Sequence, residues 1–212
     1  MRAAAAPRPR TRVGIQLLAH IQHAIQIRRW PGAGPVVGTM PAGSPWGQPI
    51  VAWVMRLAHH RRFGEVPVPF AGGNREGWID LRGVPLTRSP IHVHVVLSRH
   101  LVEVDHGERV VFRFTAAIGS PLSPTPPGRY FVTDRVRFWP GSEYGIFAFG
   151  ISGIQTHLPP GWAGGDQLAI HGTNDPASIG RSVSAGCVRV STEALLKLEP
   201  VLRLGTPVVI SR

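Results

Sequence analysis

A glycine or a proline interrupts this chain about once every five residues: 25 glycines and 21 prolines are spread through 212 positions. Glycine raises the entropic cost of a helix, and proline removes a donor and clashes with the preceding turn. Long helices are therefore excluded from most of the chain, while short strands joined by tight turns remain open to it. Hydrophobic residues reach 43 %, enough for a core and too many for a wholly disordered chain. The expectation is a mainly β protein, either one domain with an appendage or two small domains.

The formal net charge is +11, and Lys197 is the only lysine, so the positive charge is almost all arginine. Such a balance fits attraction to a polyanion such as an anionic cell envelope, and it fits equally a coding bias toward Arg, Ala, Gly and Pro. The arginines are scattered rather than blocked, and no interleaved aromatic-basic motif occurs, which excludes a nucleic-acid module. Cys187 is the only cysteine, so an intramolecular disulfide and a Cys-based zinc cluster are both excluded. No segment is long and apolar enough to span a membrane, and membrane association is otherwise left open.

The chain divides into three parts. Residues 1–34 read as a flexible basic tail carrying a short amphipathic helix, since Val13, Leu17, Leu18, Ile21 and Ile25 recur at close to helical spacing. His20, Gln22, His23 and Gln26 interrupt that run, which lacks the clean apolar core and small cleavage-site residues of a signal peptide. The Pro- and Gly-rich stretch 30–49 reads as a linker or an extended lead-in. Residues 35–90 read as a small β-rich ancillary unit, with "IVAWVM", "EVPVPF" and "WIDL" as strands and "AHHRRFG" as a solvated turn. Trp53, Phe63, Phe70 and Trp78 are expected to form its core. Residues 91–212 hold the strongest pattern. Here "HLVEV" and "RVVFRF" flank a hairpin turn at Asp105-His106-Gly107-Glu108, and "LAI" runs into His171. A capped helix follows Ser191, and "GTPVVIS" closes the chain. The glycine-rich stretch 140–167 reads as a mobile loop over a site.

The chemistry centres on "HGTNDPASIGRSVSAGCVRVS", residues 171–191. A thiol is a useful nucleophile as thiolate, and a neighbouring imidazole can take its proton. Cys187 is either such a nucleophile, with His171 as its base, or a small inert core residue. The glycines at 172, 180 and 186 let the chain loop back from one to the other. Ser184-Ala185-Gly186 is a run of small residues, and a Cβ at Gly186 would crowd a carbonyl approaching an oxyanion hole. His92 and His94 face one way on a strand, but no third metal ligand accompanies them.

These residues also resemble a known family. "AIHGTNDPASIGRSVSAGCVRV", with "IGSPLSPTPPGRYFVTD" before it and "GTPVVI" after it, is similar to the signature of L,D-transpeptidases with a YkuD-type catalytic domain, over roughly residues 91–212. The resemblance implies a sandwich-like, mainly β catalytic domain with one short helix after the Cys motif and a flap over the site. It implies peptidoglycan stem peptides as partners. Cys187 would attack the carbonyl of the third stem residue, release terminal D-alanine, and pass the acyl group to an acceptor amine as a 3→3 cross-link. Hydrolysis of the same thioester, as in an L,D-carboxypeptidase, and a non-catalytic wall-binding protein are the rival readings. Carbapenems would acylate the same Cys187, no metal or organic cofactor would take part, and the location would be extracytoplasmic. By position, His171 is the base, the Gly172 carbonyl orients its ring, and the Gly186 and Cys187 N–H groups form the oxyanion hole. Arg189 either binds a stem carboxylate or braces the loop, and Ser184 matches the Ser/Thr of the motif. Tyr144 and Trp162 are candidates for lining the flap. The motif's second histidine is replaced by Ala185.

Overall fold

The computed structural model describes residues 14–212, so the tail expected at 1–13 lies outside the described residues. The first eight strands are β1 (Gln16–His20), β2 (Ile25–Trp30), β3 (Ala33–Met40), β4 (Val51–Val54), β5 (Arg56–Ala58), β6 (Phe63–Pro67), β7 (Glu76–Asp80) and β8 (Leu86–Ser89). They form a three-stranded sheet, β4-β1-β8, and a five-stranded sheet, β3-β2-β7-β6-β5.

Two expectations for this region are corrected. The apolar spacing of 13–27 is taken up by β1 and β2 rather than by a helix. Leu18 and Ala19 are buried from β1 and Ile27 from β2, with Ile21 buried in the turn between them, so one set of apolar positions serves two short strands. Of the linker or extended lead-in expected over 30–49, residues 33–40 take the extended form as a paired strand, and the β-rich unit begins at Gln16 rather than at position 35. The "AHHRRFG" turn is tight, with His59, His60 and Arg61 all at positive φ.

The remaining elements are β9 (Ile91–Val96), β10 (Leu101–His106), β11 (Arg109–Thr115), β12 (Ile118–Gly119), β13 (Gly128–Arg137), β14 (Phe147–Ile154), β15 (Gln167–His171), β16 (Ser182–Ser184), β17 (Val188–Arg189), α1 (Thr192–Leu198) and β18 (Pro207–Ser211). Eight of them make one sheet, in the order β11-β10-β9-β18-β13-β14-β15-β17. Val93, Val95, Val102 and Val104 from one end of that order share a core with Phe149, Ile170 and Val188 from the other. The sheet is therefore curled around its own apolar face, with α1 closing the core through Ala194, Leu195 and Leu198. Ser191 caps α1, its hydroxyl accepting from the Ala194 N–H at 3.2 Å. Among the described residues the fold is mainly β, with one short α-helix after Cys187.

The middle of the 140–167 stretch is not a loop: β14 is buried along nearly its whole length. Its glycines answer to close packing, since a Cβ at Gly153 would stand 2.5 Å from the Tyr130 ring and one at Gly150 would stand 2.7 Å from the Gln167 side-chain amide. Strand alternation also joins the two halves of the molecule. Tyr130 and Val132 of β13 face the curled core, while Phe131 between them is buried in the N-terminal core with Ile27, Met40 and Ile79.

Candidate active site

Strands β15 and β17 run parallel, with Ile170 opposite Val188 and His171 opposite Arg189. Ile170 and Val188 point into the core. Alternation then sends His171 and Arg189 to the opposite face, and the same phase one step back sends Ala169 and Cys187 there too. All four line one cavity of about 640 Å³. Fifteen residues of intervening chain thus return Cys187 to a diagonal position next to His171.

His171 is buried, and its Nδ1 lies 2.6 Å from the Gly172 carbonyl oxygen. A carbonyl only accepts, so Nδ1 carries the proton and Nε2 is left as the basic nitrogen. The Gly172 orienter is therefore in place. Gly172 must be glycine because the 144–145 turn presses on it: a Cβ there would stand 2.9 Å from the Gly145 Cα, and one at Gly145 would stand 2.6 Å from the Gly172 Cα. That contact lays the Tyr144 ring edge-on to His171 at 5.1 Å, with Phe138 stacked behind Tyr144 at 4.9 Å. Burial pushes the His171 imidazole down to about 4; the Arg189 charge adds to this, and the Gly172 and Tyr144 carbonyls oppose it.

Cys187 is half-buried, with Sγ 3.9 Å from the Gln167 carbonyl oxygen. Burial pushes its thiol up, against the Ala169 backbone amide and the Arg189 charge, which both favour thiolate. At neutral pH the resting pair is accordingly a thiol and a neutral imidazole. The turn before it is held from inside. Ser184 Oγ donates to the Cys187 carbonyl at 2.6 Å and accepts from the Gly186 N–H at 3.1 Å. One assignment is corrected by this: the Gly186 N–H is committed to Ser184 rather than offered to an oxyanion, while Ser184 holds the turn at the cavity wall. Gly186 matters for its shape instead: φ is +122°, and a Cβ would stand 2.2 Å from Gln155 Nε2.

Gln155 was not singled out by the sequence and proves central. Its side-chain amide donates to the Pro124 carbonyl at 3.0 Å and the Ala185 carbonyl at 3.3 Å, tying the proline-locked loop to the turn before Cys187. Gln167 and the fully buried Asp134 were missed as well. Gln167 Nε2 donates to Asp134 at 2.8 Å and to the Thr133 hydroxyl at 3.0 Å. Only their contacts give them away: glutamine and aspartate at these positions carry no local motif.

Tyr144, Trp162 and Arg189 all reach the cavity. Trp162 sits at its rim, its indole N–H on the Gly165 carbonyl at 3.0 Å. The buried Arg189 Nε has no hydrogen-bond partner among the described residues, leaving a directed donor at the cavity wall. Trp53 and Phe63 are buried and Phe70 packs against the N-terminal core, as expected; Phe70 also lines this cavity, and Phe63 and Trp78 line a second one. His92 pairs with Asp105 at 2.9 Å and His94 with the Ser211 hydroxyl at 2.9 Å. Among the described residues no three His, Cys, Asp or Glu side chains gather as a metal site.

Fold and cavity together define a curled β protein whose thiol and imidazole share one pocket at the ends of parallel strands. The chain belongs to the L,D-transpeptidase family: residues 90–210 match the L,D-transpeptidase catalytic domain, YkuD. It is 32 % identical to the YkuD protein of Bacillus subtilis over 123 residues, 58 % of this chain and 67 % of that one. Among solved structures it is similar to Bdellovibrio bacteriovorus Bd1075, with 25 % identity and a TM-score of 0.45 over 58 % of this chain and 48 % of that one. It is also similar to L,D-transpeptidase 3 from Mycobacterium tuberculosis in complex with a faropenem-derived adduct, with 18 % identity and a TM-score of 0.47 over 76 % of this chain and 91 % of that one. The chain thus spans about half of Bd1075 and about two thirds of the Bacillus relative.

Proposed function

We propose that the protein is a peptidoglycan L,D-transpeptidase acting outside the cytoplasm, where that polymer lies. The observation that supports this reading is the common face: within the family's catalytic domain, Cys187 and His171 project from neighbouring strands into one cavity. As the stem peptide enters, Nε2 of His171 takes the Cys187 proton and the thiolate adds to the carbonyl of the third stem residue. The backbone N–H of Cys187 faces the developing oxyanion. Collapse breaks the peptide bond, the imidazolium gives its proton to the departing D-alanine amine, and a thioester remains. An acceptor amine then attacks, returns its proton through His171, and frees the thiol.

Arg189 has a double part in this scheme. Its charge depresses His171 in the empty site. A stem carboxylate that docks bidentately on the guanidinium cancels that charge and makes the imidazole a better base. Substrate binding therefore helps to activate the pair. Ala185, in the place of the motif's second histidine, contributes only its carbonyl to Gln155.

The reading is tested with purified tetrapeptide-stem muropeptides and mass detection. Cross-linked dimers are the expected product. Tripeptide alone would reassign the protein as a carboxypeptidase. Unchanged substrate, with salt-sensitive wall binding that persists in Cys187→Ala, would leave a binding protein. The same thiol is expected to gain the mass of a carbapenem, with no adduct in Cys187→Ala.

A further inference from the structure

The cavity at Cys187 is not built by the catalytic domain alone. Pro45 and Trp46 line it, and both stand in the β3–β4 connection, outside the 90–210 match. That connection is a closed loop. Ser44 N–H donates to the Gln48 carbonyl at 2.8 Å and Ile50 N–H to the Ala42 carbonyl at 2.9 Å. Gly47, at φ +75°, makes the tip.

The loop is fastened to the catalytic sheet at three points. Ser44 Oγ donates to the buried Asp134. The Gln48 side-chain amide pairs with both backbone groups of Arg135, at 2.9 and 3.2 Å. Trp46 Nε1 donates to Gln167 Oε1 at 3.2 Å, and its ring lies edge-on to Phe138 at 6.4 Å. Gln167 is the residue whose carbonyl faces the Cys187 sulfur. So the indole is fixed by its N–H while its apolar faces are left open: Trp46 is 57 % exposed. Leu158 and Trp162, two more exposed large apolar side chains, line the same cavity. Three such side chains around one polar-floored pocket mark a surface that a ligand covers.

We propose that Trp46 is a substrate-contacting specificity residue, delivered by the N-terminal unit, whose indole packs against the aliphatic side chain of an extended peptide donor held over Cys187. The proposal rests on the peptide-donor reading above. It makes the N-terminal unit part of the active site rather than a spacer. The occupant is aliphatic because Trp46, Leu158 and Trp162 together offer flat apolar area.

Two measurements keep this claim separate from the claim of transpeptidation. In a Cys187→Ser background, which binds without reacting, the dissociation constant for a tetrapeptide-stem muropeptide is expected to rise about tenfold with Trp46→Ala and to recover most of that with Trp46→Phe. With Cys187 intact, Trp46→Ala should raise KM about tenfold and leave kcat within about twofold, while alkylation by iodoacetamide, too small to need the wall, stays within about twofold. Equal muropeptide affinity with and without the indole, or no measurable affinity in Cys187→Ser, overturns the proposal. So does a fall in alkylation and melting temperature that parallels the loss of affinity, which would make Trp46 a structural prop. Trp46-dependent binding without any dimer or tripeptide would uphold the wall and sink the transpeptidase.

Discussion

Two cavities among the described residues have similar volumes, about 640 Å³ beside Cys187 and about 720 Å³ on the N-terminal unit. They are held together in opposite ways. The first is floored by enclosed polar groups with fixed partners: His171 on the Gly172 carbonyl, Ser184 on Cys187, Gln155 on Pro124 and Ala185, and Gln167 on Asp134. The second is lined by Arg28 and by Asp80 with its ion-pair partners Arg62 and Arg82, and those two pairs reach into solvent. A desolvated polar group that loses its partner is costly, so the first arrangement holds one geometry. Exposed ion pairs are screened and replaced by water, so the second tolerates rearrangement. Precision is concentrated at the pocket that holds the thiol and the imidazole.

The largest effects should come from the reacting pair. Cys187→Ala is expected to abolish cross-linking and the carbapenem adduct, a loss of about 10⁴-fold or more in turnover, read by mass spectrometry. His171→Asn keeps a polar group of similar reach but no base, and should slow acylation by about 10²- to 10⁴-fold. Because the resting thiol is raised, iodoacetamide alkylation of the native protein should climb about tenfold per pH unit from 7 to 9. A plateau already at pH 7 would instead reveal a standing thiolate–imidazolium pair.

Next in size is Gly186→Ala. At φ +122° an L-residue is strained, and the new Cβ meets the Gln155 amide that ties the proline loop to the turn. We expect about 2–4 kcal/mol of lost stability in urea titration and a fall in acylation rate exceeding what unfolding explains. Ala at Gly47, also at positive φ but with open space around it, should lose about 1 kcal/mol and little activity.

How much of this was legible beforehand follows from sequence distance. Cys187, His171 and the Gly172 carbonyl lie within one short segment that carries a motif, and the curled β core follows from alternating apolar residues between turns. The two strands in 13–27 escaped because apolar spacing near 3.6 also fits two short strands when Ile21 is buried in the turn. The Gly186 N–H and the Ser184 hydroxyl could not be assigned without coordinates, since either could face inward or outward at that turn. The supports were invisible for a different reason: Ser44 meets Asp134 across 90 residues and Trp46 meets Gln167 across 121. Nothing in the local pattern around any of the four announces its partner.

Acid offers a smaller test of the same contrast. His171 titrates near 6.5 when unfolded and about 4 when folded. Between those values the unfolded chain binds a proton that the native site refuses, so stability falls as pH drops from 6.5 toward 4. The full span is worth at most about 3 kcal/mol. Urea midpoints at pH 7 and pH 4.5 should therefore differ less in His171→Asn than in the native protein. Equal differences would mean that the native ring is already charged.

The smallest effect is expected in the second cavity. Burial pushes the Asp80 carboxyl up, yet Arg82 and Arg62 together bring it below the usual carboxylate range. Those partners stand 2.8 and 3.4 Å away, but the arginine side chains are 70 % and 48 % exposed, so water replaces much of what an asparagine would lose. Asp80→Asn should cost no more than about 1 kcal/mol, a shift of a few degrees in melting temperature that shrinks further in high salt. Cross-linking of muropeptides should stay within about twofold, because Asp80 lines the second cavity and not the one beside Cys187. A large loss of activity in Asp80→Asn would mean that the two cavities are coupled through the N-terminal sheets, and the division between a precise site and a tolerant one would have to be abandoned.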